Sequence, residues 1–353
     1  MTEAKQVNVA LVGYGYWGPN LLRNYRGMPG AEVKWVCDNG KRALARAEAQ
    51  YPGIATTGEM GDVLDDPDVD AVLIATPIST HFALAKAALE AGKHVFVEKP
   101  MTSDPGHARE LVALAGERHL VLMVGHTFVF SPPVRKVKEL FDSGELGDIY
   151  FITTSRVNLG LHQKDVSVVW DLAPHDLSIL YYWLGQPARS VSVLGRNCAK
   201  GRHPDVAFMN LRFPSGVIAE VQISWLSPVK LRRTMVVGSK KMLLYDDTES
   251  VEKVKVFDHG VQIHAPEDFG EFQLSYRTGD IVSPKIEPRE PLTIEAEAFL
   301  EAVRTGRTPI SDARFGLEVV ASLQAAETSM RSGGSEVEID LDGDFQGVGD
   351  GRA

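Results

Sequence analysis

The sequence predicts a doubly wound α/β half with a parallel sheet, joined to an α+β half built on a large, mostly antiparallel, open-faced sheet. Three observations carry this. Short apolar runs alternate with helical patterns over the first third of the chain, and period-two alternation takes over from about Ile149. At 353 residues the chain is also too long for one ordinary core. The expected division is 1–125 for the first half, 126–340 for the second, and a loose tail over 341–353.

Val7–Val12, Val33–Cys37, Ala71–Ala75, His94–Val97 and Val121–Val124 are short and rich in Val, Ile and Leu, as suits strands buried on both faces of a parallel sheet. Between them lie amphipathic helix candidates at Gly18–Arg26, Lys41–Ala49, Thr80–Ala91 and Asp104–Arg118. Gly92 stops the third of these and Pro105 fits the first turn of the fourth. In the second half, "IYFITTSRVNL", "RSVSVLGR", "DVAFMNLRF", "GVIAEVQISWL" and "RRTMVVG" alternate like strands with one buried face, and "VVGSKKMLLY" reads as two strands across a Gly-Ser turn. Helical pattern returns at Pro174–Leu184, where Pro174 suits a first turn, and at Ile294–Thr305 and Arg314–Met330. Thr278–Pro291, rich in Pro and charge, predicts an extended connection on the surface.

Composition narrows the function. Lys and Arg total 37 against 47 Asp and Glu, a formal charge of −10, which argues against a nucleic-acid or anionic-membrane partner. No secretory signal and no apolar run of membrane-spanning length is visible, and Cys37 and Cys198 lack metal-type spacing, so a reduced, cytoplasmic protein is expected.

The turn "VGYGYWG" places Gly13, Gly15 and Gly18 between a strand and a helix. In such a unit the first glycine makes the tight turn, the second admits a pyrophosphate, and the third lets helix and sheet pack closely. Helix N-terminal amides then face the phosphates. This is the Rossmann arrangement. The next strand ends at Asp38, 20 residues past Gly18, where a carboxylate accepts from the adenine-side ribose and repels a 2′-phosphate. NAD is therefore favoured over NADP, with nearby Arg42 weakening that preference. The competing use of Asp38 is a helix cap. Glu98 and Lys99 follow a fully apolar strand in "VEKP", where a surface ion pair is the plainer alternative to a site.

The motifs "GYGYWG" (with Tyr16 and Trp17), "ATP…H" (Thr76, Pro77, His81) and "EKP" (Glu98, Lys99), together with "WDLAPHDLSIL", resemble the Gfo/Idh/MocA family of NAD(P)-dependent sugar oxidoreductases over nearly the whole chain. The resemblance implies that Lys99, Asp171 and His175 face the nicotinamide from opposite halves. Hydride removal from a carbinol needs a base for the hydroxyl proton, and His175 is suited to it. Lys99 can donate to the same oxygen, and Asp171 can orient His175, grip a hydroxyl or cap a helix. The "HD" pair lacks a third metal ligand.

The second motif reads "VWDLAPHD" in place of the glycine-rich pattern of the inositol and glucose–fructose dehydrogenases. With "GHTFVF", "SRVNLG" and "GDIVSPKI…EPL" it is similar to the branch acting at the 3-position of nucleotide-activated sugars such as UDP-N-acetylglucosamine or its uronic acid. Arg156 and Asn158, two apart on a strand, share a face, and Arg156 is a candidate for an anionic group. His126, Phe128, Lys164 and Trp170 are further candidates for the cleft, with core packing as their alternative. A free-sugar or cyclitol dehydrogenase, an NAD-assisted glycosidase and a non-catalytic NAD-binding regulator remain open. The half-covered second sheet predicts pairing with a second copy, and the resemblance implies a homodimer or homotetramer built through that sheet.

Overall fold

The structure, a computed structural model, describes residues 6–160, 166–199, 201–264 and 273–342. The tail expectation falls mainly outside these, as does Lys164. The first sheet comprises β1 (Val7–Val12), β2 (Ala31–Cys37), β3 (Ala55–Thr57), β4 (Ala71–Ile74), β5 (His94–Glu98) and β6 (Leu122–Gly125), all parallel, in the order β3-β2-β1-β4-β5-β6. The order reverses between β1 and β4, and such a switch point opens a crevice at the strand ends. Both faces of the central strands are covered: every residue of β4 is buried, and the interior of β5 likewise.

The crossover helices are α1 (Gly18–Arg26), α2 (Lys41–Gln50), α3 (Met60–Leu64), α4 (Ile78–Glu90) and α5 (Pro105–Arg118). Asp104 caps α5, accepting from the amides of Gly106 at 2.7 Å and His107 at 3.1 Å, ahead of Pro105 in the first turn. After β6 come a 3₁₀ turn (Thr127–Phe130) and α6 (Pro132–Asp142), whose buried Val134, Val137 and Leu140 recur at helical spacing. The sequence reading passed over α6, as it did over β3 and α3.

The second sheet has nine strands: β7 (Ile149–Val157), β8 (Ser190–Arg196), β9 (Val206–Arg212), β10 (Ile218–Ser224), β11 (Leu231–Gly238), β12 (Met242–Asp246), β13 (Val254–His264), β14 (Gln273–Val282) and β15 (Val337–Glu338). Their order is β14-β13-β12-β11-β7-β10-β9-β8-β15, antiparallel except for the β7–β10 pair. The expected extended connection at Thr278–Pro291 is corrected here. Thr278–Val282 completes β14, pairing with β13 through contacts such as Phe257 opposite Ile281. This hairpin forms one edge of the sheet, where charged side chains are tolerated and indeed protective, so charge there did not signal a loop.

One face of the second sheet packs on α7 (Val168–Leu184) and α9 (Ala313–Arg331). Pro174 lies inside α7 and not in its first turn, because the helix begins six residues earlier than expected. Lacking an N–H, it leaves the Trp170 carbonyl without its helical donor and weakens that turn. The last helix pair divides its loyalties. α9 also packs on α5 and β6, bridging the sheets, while α8 (Pro291–Thr305) returns to the first sheet and covers α1 and β1. Thr293 donates to Asn24 Oδ1 at 2.6 Å and Arg304 to the Gly30 carbonyl at 2.6 Å.

Candidate active site

The glycine turn is tight for a stated reason at two positions. Gly13 has φ +98°, and a Cβ there would sit 2.7 Å from the Ala75 carbonyl oxygen; a Cβ on Gly18 would sit 2.1 Å from the Gly13 oxygen. Around Gly15, by contrast, the space is open. Asp38 closes the turn: its carboxylate accepts from the Tyr14 amide at 2.7 Å and the Gly40 amide at 2.7 Å. Gly40, not Asp38, occupies the cap of α2, so the capping alternative does not apply. Sequence reading missed Arg46, which donates to the carbonyls of Tyr14 and Gly15 and lies over the Tyr14 ring at 5.1 Å. The exposed Arg42 lies on the same helix.

From this turn a cleft of about 720 Å³ runs between the two sheets. Its first-sheet wall includes Tyr16, Trp17, Thr76, Glu98 and Lys99; its second-sheet wall includes Trp170, Asp171, His175, Arg232 and Asp247, with Phe128 between. The switch point thus meets the start of α7. Tyr16 is 92% exposed at the mouth, and Trp170 is nearly buried, its indole donating to Glu327 at 2.9 Å.

Lys99 crosses from one wall to the other. Its Nζ donates to the Asp171 backbone carbonyl at 3.0 Å, in the turn that Pro174 weakens, and lies 3.9 Å from Asp171 Oδ1. Asp171 Oδ2 accepts from Trp225 Nε1 at 3.0 Å. Asp171 is therefore held by lysine and tryptophan. His175, four residues on along the same helical face, stands edge-on to the Phe128 ring at 5.0 Å. Burial pushes His175 well below the usual histidine range, reinforced by the positive charges of Lys99, Arg156 and Arg232, which favours the neutral imidazole. Burial also lowers Lys99, against the opposing pull of Asp171 and Glu98.

Other predicted residues are placed differently. His81 lies behind the cleft, its ring nitrogens 2.9 Å from the carbonyls of Thr76 and Pro100, bracing the ends of β4 and β5; Pro77 caps α4. His126 is buried against Phe315, and burial lowers it to about 3. Arg156 does not face the cleft as a free cation: it is buried and bonded to Asp176 at 2.7 and 3.2 Å. Asn158 lies one residue past the end of β7 and does not line the cleft. Besides Lys99, a second cation lines the cleft: Arg232, which sequence reading missed.

A dinucleotide fits these residues. The open space at Gly15 admits a phosphate, and the buried Trp17 indole and Glu98 carboxylate, which interact with each other, line the cleft. Burial raises Glu98 to about 7. Beneath it Glu295, wholly buried, accepts from Thr127 at 2.9 Å and is also raised by burial and by Glu98. Among the described residues no group of His, Cys, Asp and Glu is arranged to hold a metal, and no helix is long and apolar enough to cross a membrane.

Comparison with known proteins agrees with this geometry. Residues 7–126 match the model of an oxidoreductase family with an NAD-binding Rossmann fold, GFO/IDH/MocA, and residues 134–244 match that family's C-terminal domain. The scyllo-inositol 2-dehydrogenase (NAD(+)) of Bacillus subtilis (strain 168) is 30% identical, over 97% of this chain and 99% of its own. The UDP-N-acetylglucosamine 3-dehydrogenase of Acidithiobacillus ferrooxidans is 27% identical, over 72% of this chain and 77% of its own. The chain spans only 54% of an Escherichia coli oxidoreductase that is 34% identical. Among solved structures, GenD2 from gentamicin A biosynthesis, in complex with NAD, superposes with a TM-score of 0.80 at 25% identity, covering 96% of this chain and 98% of that one.

Proposed function

Because this chain belongs to the GFO/IDH/MocA oxidoreductase family, we propose that it interconverts a secondary hydroxyl and a ketone with NAD, at C3 of a nucleotide-activated sugar. The observation that carries the reaction class is that Lys99, at the end of β5, and His175, on α7, line one cleft from the two halves of the fold. Bound NAD supplies the hydride acceptor. The turn at Gly13, Gly15 and Gly18 would hold its pyrophosphate, and Asp38 its adenine-side ribose. In the oxidation, the carbon gives up hydride while the His175 imidazole takes the hydroxyl proton. Lys99 donates a hydrogen bond to the same oxygen and offsets its developing negative charge. Asp171 fixes the height of the Lys99 ammonium, and Trp225 fixes Asp171. The UDP-N-acetylglucosamine 3-dehydrogenase relative supports the choice of C3 on an activated sugar.

A second reading, oxidation of a free cyclitol, is supported by the scyllo-inositol 2-dehydrogenase relative. Cofactor reduction with UDP-N-acetylglucosamine, N-acetylglucosamine and scyllo-inositol, followed by NMR location of the new carbonyl, separates the two. Lys99→Ala and His175→Ala should each lower turnover by ~100-fold or more in a folded protein. Near-normal turnover in either variant removes that residue from the mechanism. We also infer that copies of the chain associate through the uncovered face of the second sheet.

A further inference from the structure

We propose that Arg232 selects substrates bearing an anionic group, a carboxylate or a phosphate, one aromatic ring's width from the reacting carbinol. The proposal rests on the oxidoreductase reading above and gives the substrate a chemical class.

In the antiparallel register of β11 and β7, Arg232 stands directly opposite Arg156. Like charges so placed destabilise a sheet. Both guanidinium groups lie over the one Phe128 ring, at 5.8 and 4.6 Å. The protein neutralises only one of them fully. Arg156 is buried against Asp176 with two hydrogen bonds, and Thr154 donates to the same carboxylate at 3.0 Å.

Arg232 is treated otherwise. Its Nη1 lies 3.2 Å from Asp247 Oδ2, but Lys253 Nζ lies 3.2 Å from Asp247 Oδ1 and also donates to the Asp247 carbonyl. Two cations share one carboxylate, so Asp247 is not the counter-charge of Arg232 alone. The Arg232 side chain is 37% exposed and lines the cleft. Among the other charged groups at the cleft, Lys99 sits with Asp171, and Glu98 lies on the first-sheet wall. The Phe128 ring is in contact with both His175 and Arg232, which brings imidazole and guanidinium to one aromatic ring. A planar guanidinium fork takes carboxylate or phosphate oxygens in pairs.

The test is calorimetric titration of the NADH-loaded protein with D-glucuronate against D-glucose, and UDP-N-acetylglucosamine against N-acetylglucosamine. At least one anionic probe should bind about tenfold tighter than its neutral match. Preference for glucuronate assigns the carboxylate, and preference for the UDP-sugar assigns the phosphate. Arg232→Met should bring the anionic-to-neutral ratio down to about one and Arg232→Lys should retain part of it. Asp247→Asn, which relieves Arg232 of its counter-charge, should increase it. Binding of neither anionic probe, neutral probes binding equally well, or an equal loss for both kinds in Arg232→Met overturns the proposal. Turnover of the same probes with NAD is read separately. Arg232-dependent anion binding with no cofactor reduction would remove the dehydrogenase reading and leave this one standing.

Discussion

The Lys99 ammonium and the His175 imidazole titrate in an environment that displaces both in the same direction. Burial disfavours the charged form of each, and each feels the other's positive charge or that of nearby arginines. The pH dependence of sugar oxidation follows from the sign. A base must be unprotonated, so the rate falls as pH drops through the lowered His175 value, well under the ordinary ~6.5. A donor must be protonated, so the rate falls again as pH rises through the lowered Lys99 value, under the ordinary ~10.4. A kcat/KM profile should therefore be a bell shifted to acid on both sides, with the acid limb abolished in His175→Ala. An acid limb at or above pH ~6.5 would assign the proton to another group. These two residues were legible because the sequence around them is a motif. Arg156 and Arg232 were not distinguished, because strand period gives the face a side chain takes but not its partner. Asp176 reaches Arg156 from a helix, and the register that places Arg232 opposite Arg156 pairs residues 76 positions apart.

At the scale of elements, the first turn and α1 work as one unit. The N-terminus of α1 can present its amides to a phosphate only if the Gly13 carbonyl and the Gly18 Cα touch. Gly18→Ala inserts a methyl into that contact, and backbone must move to admit it. The expected result is a loss of about 1–3 kcal/mol in stability and at least tenfold weaker NADH binding, read by thermal unfolding and fluorescence titration. A folded variant with wild-type affinity would show that the turn does not cradle the cofactor. The same close packing explains what the sequence revealed. Strands buried on both faces must be continuously apolar, so β4, β5 and β6 stand out, and glycine is forced where backbones cross. The β13–β14 hairpin gave no such signal, since an edge strand has few packing demands and carries Asp258, Arg277 and Asp280 openly. The start of α7 was displaced because a proline fits a first turn by local rules, whereas here it stands inside the helix, six residues past its first residue.

The whole molecule is held together by exchange between its halves: α8 covers the first sheet, α9 bridges both, and Lys99 reaches α7 across the cleft. This arrangement uses one face of the second sheet and, among the described residues, leaves the other uncovered. The register shows which residues occupy that other face. Leu194 lies opposite Phe208, Phe208 opposite Gln222, Ile218 opposite Phe151, and Met235 opposite Thr153. Leu194, Phe208, Ile218 and Met235 are all exposed, while their neighbours along the strands, Val193, Met209, Ala219 and Val236, are buried beneath the helices. Apolar side chains spread across adjacent strands on one open face are better covered by a second copy than by water. Light scattering at micromolar concentration should give the mass of a dimer or larger assembly. Phe208→Asp places a charge at the centre of that face and should shift the mass toward a monomer, with NADH affinity retained, because Phe208 points away from the cleft. A monomeric wild-type protein, or an unchanged mass in Phe208→Asp, would mean that the open face is tolerated as it stands.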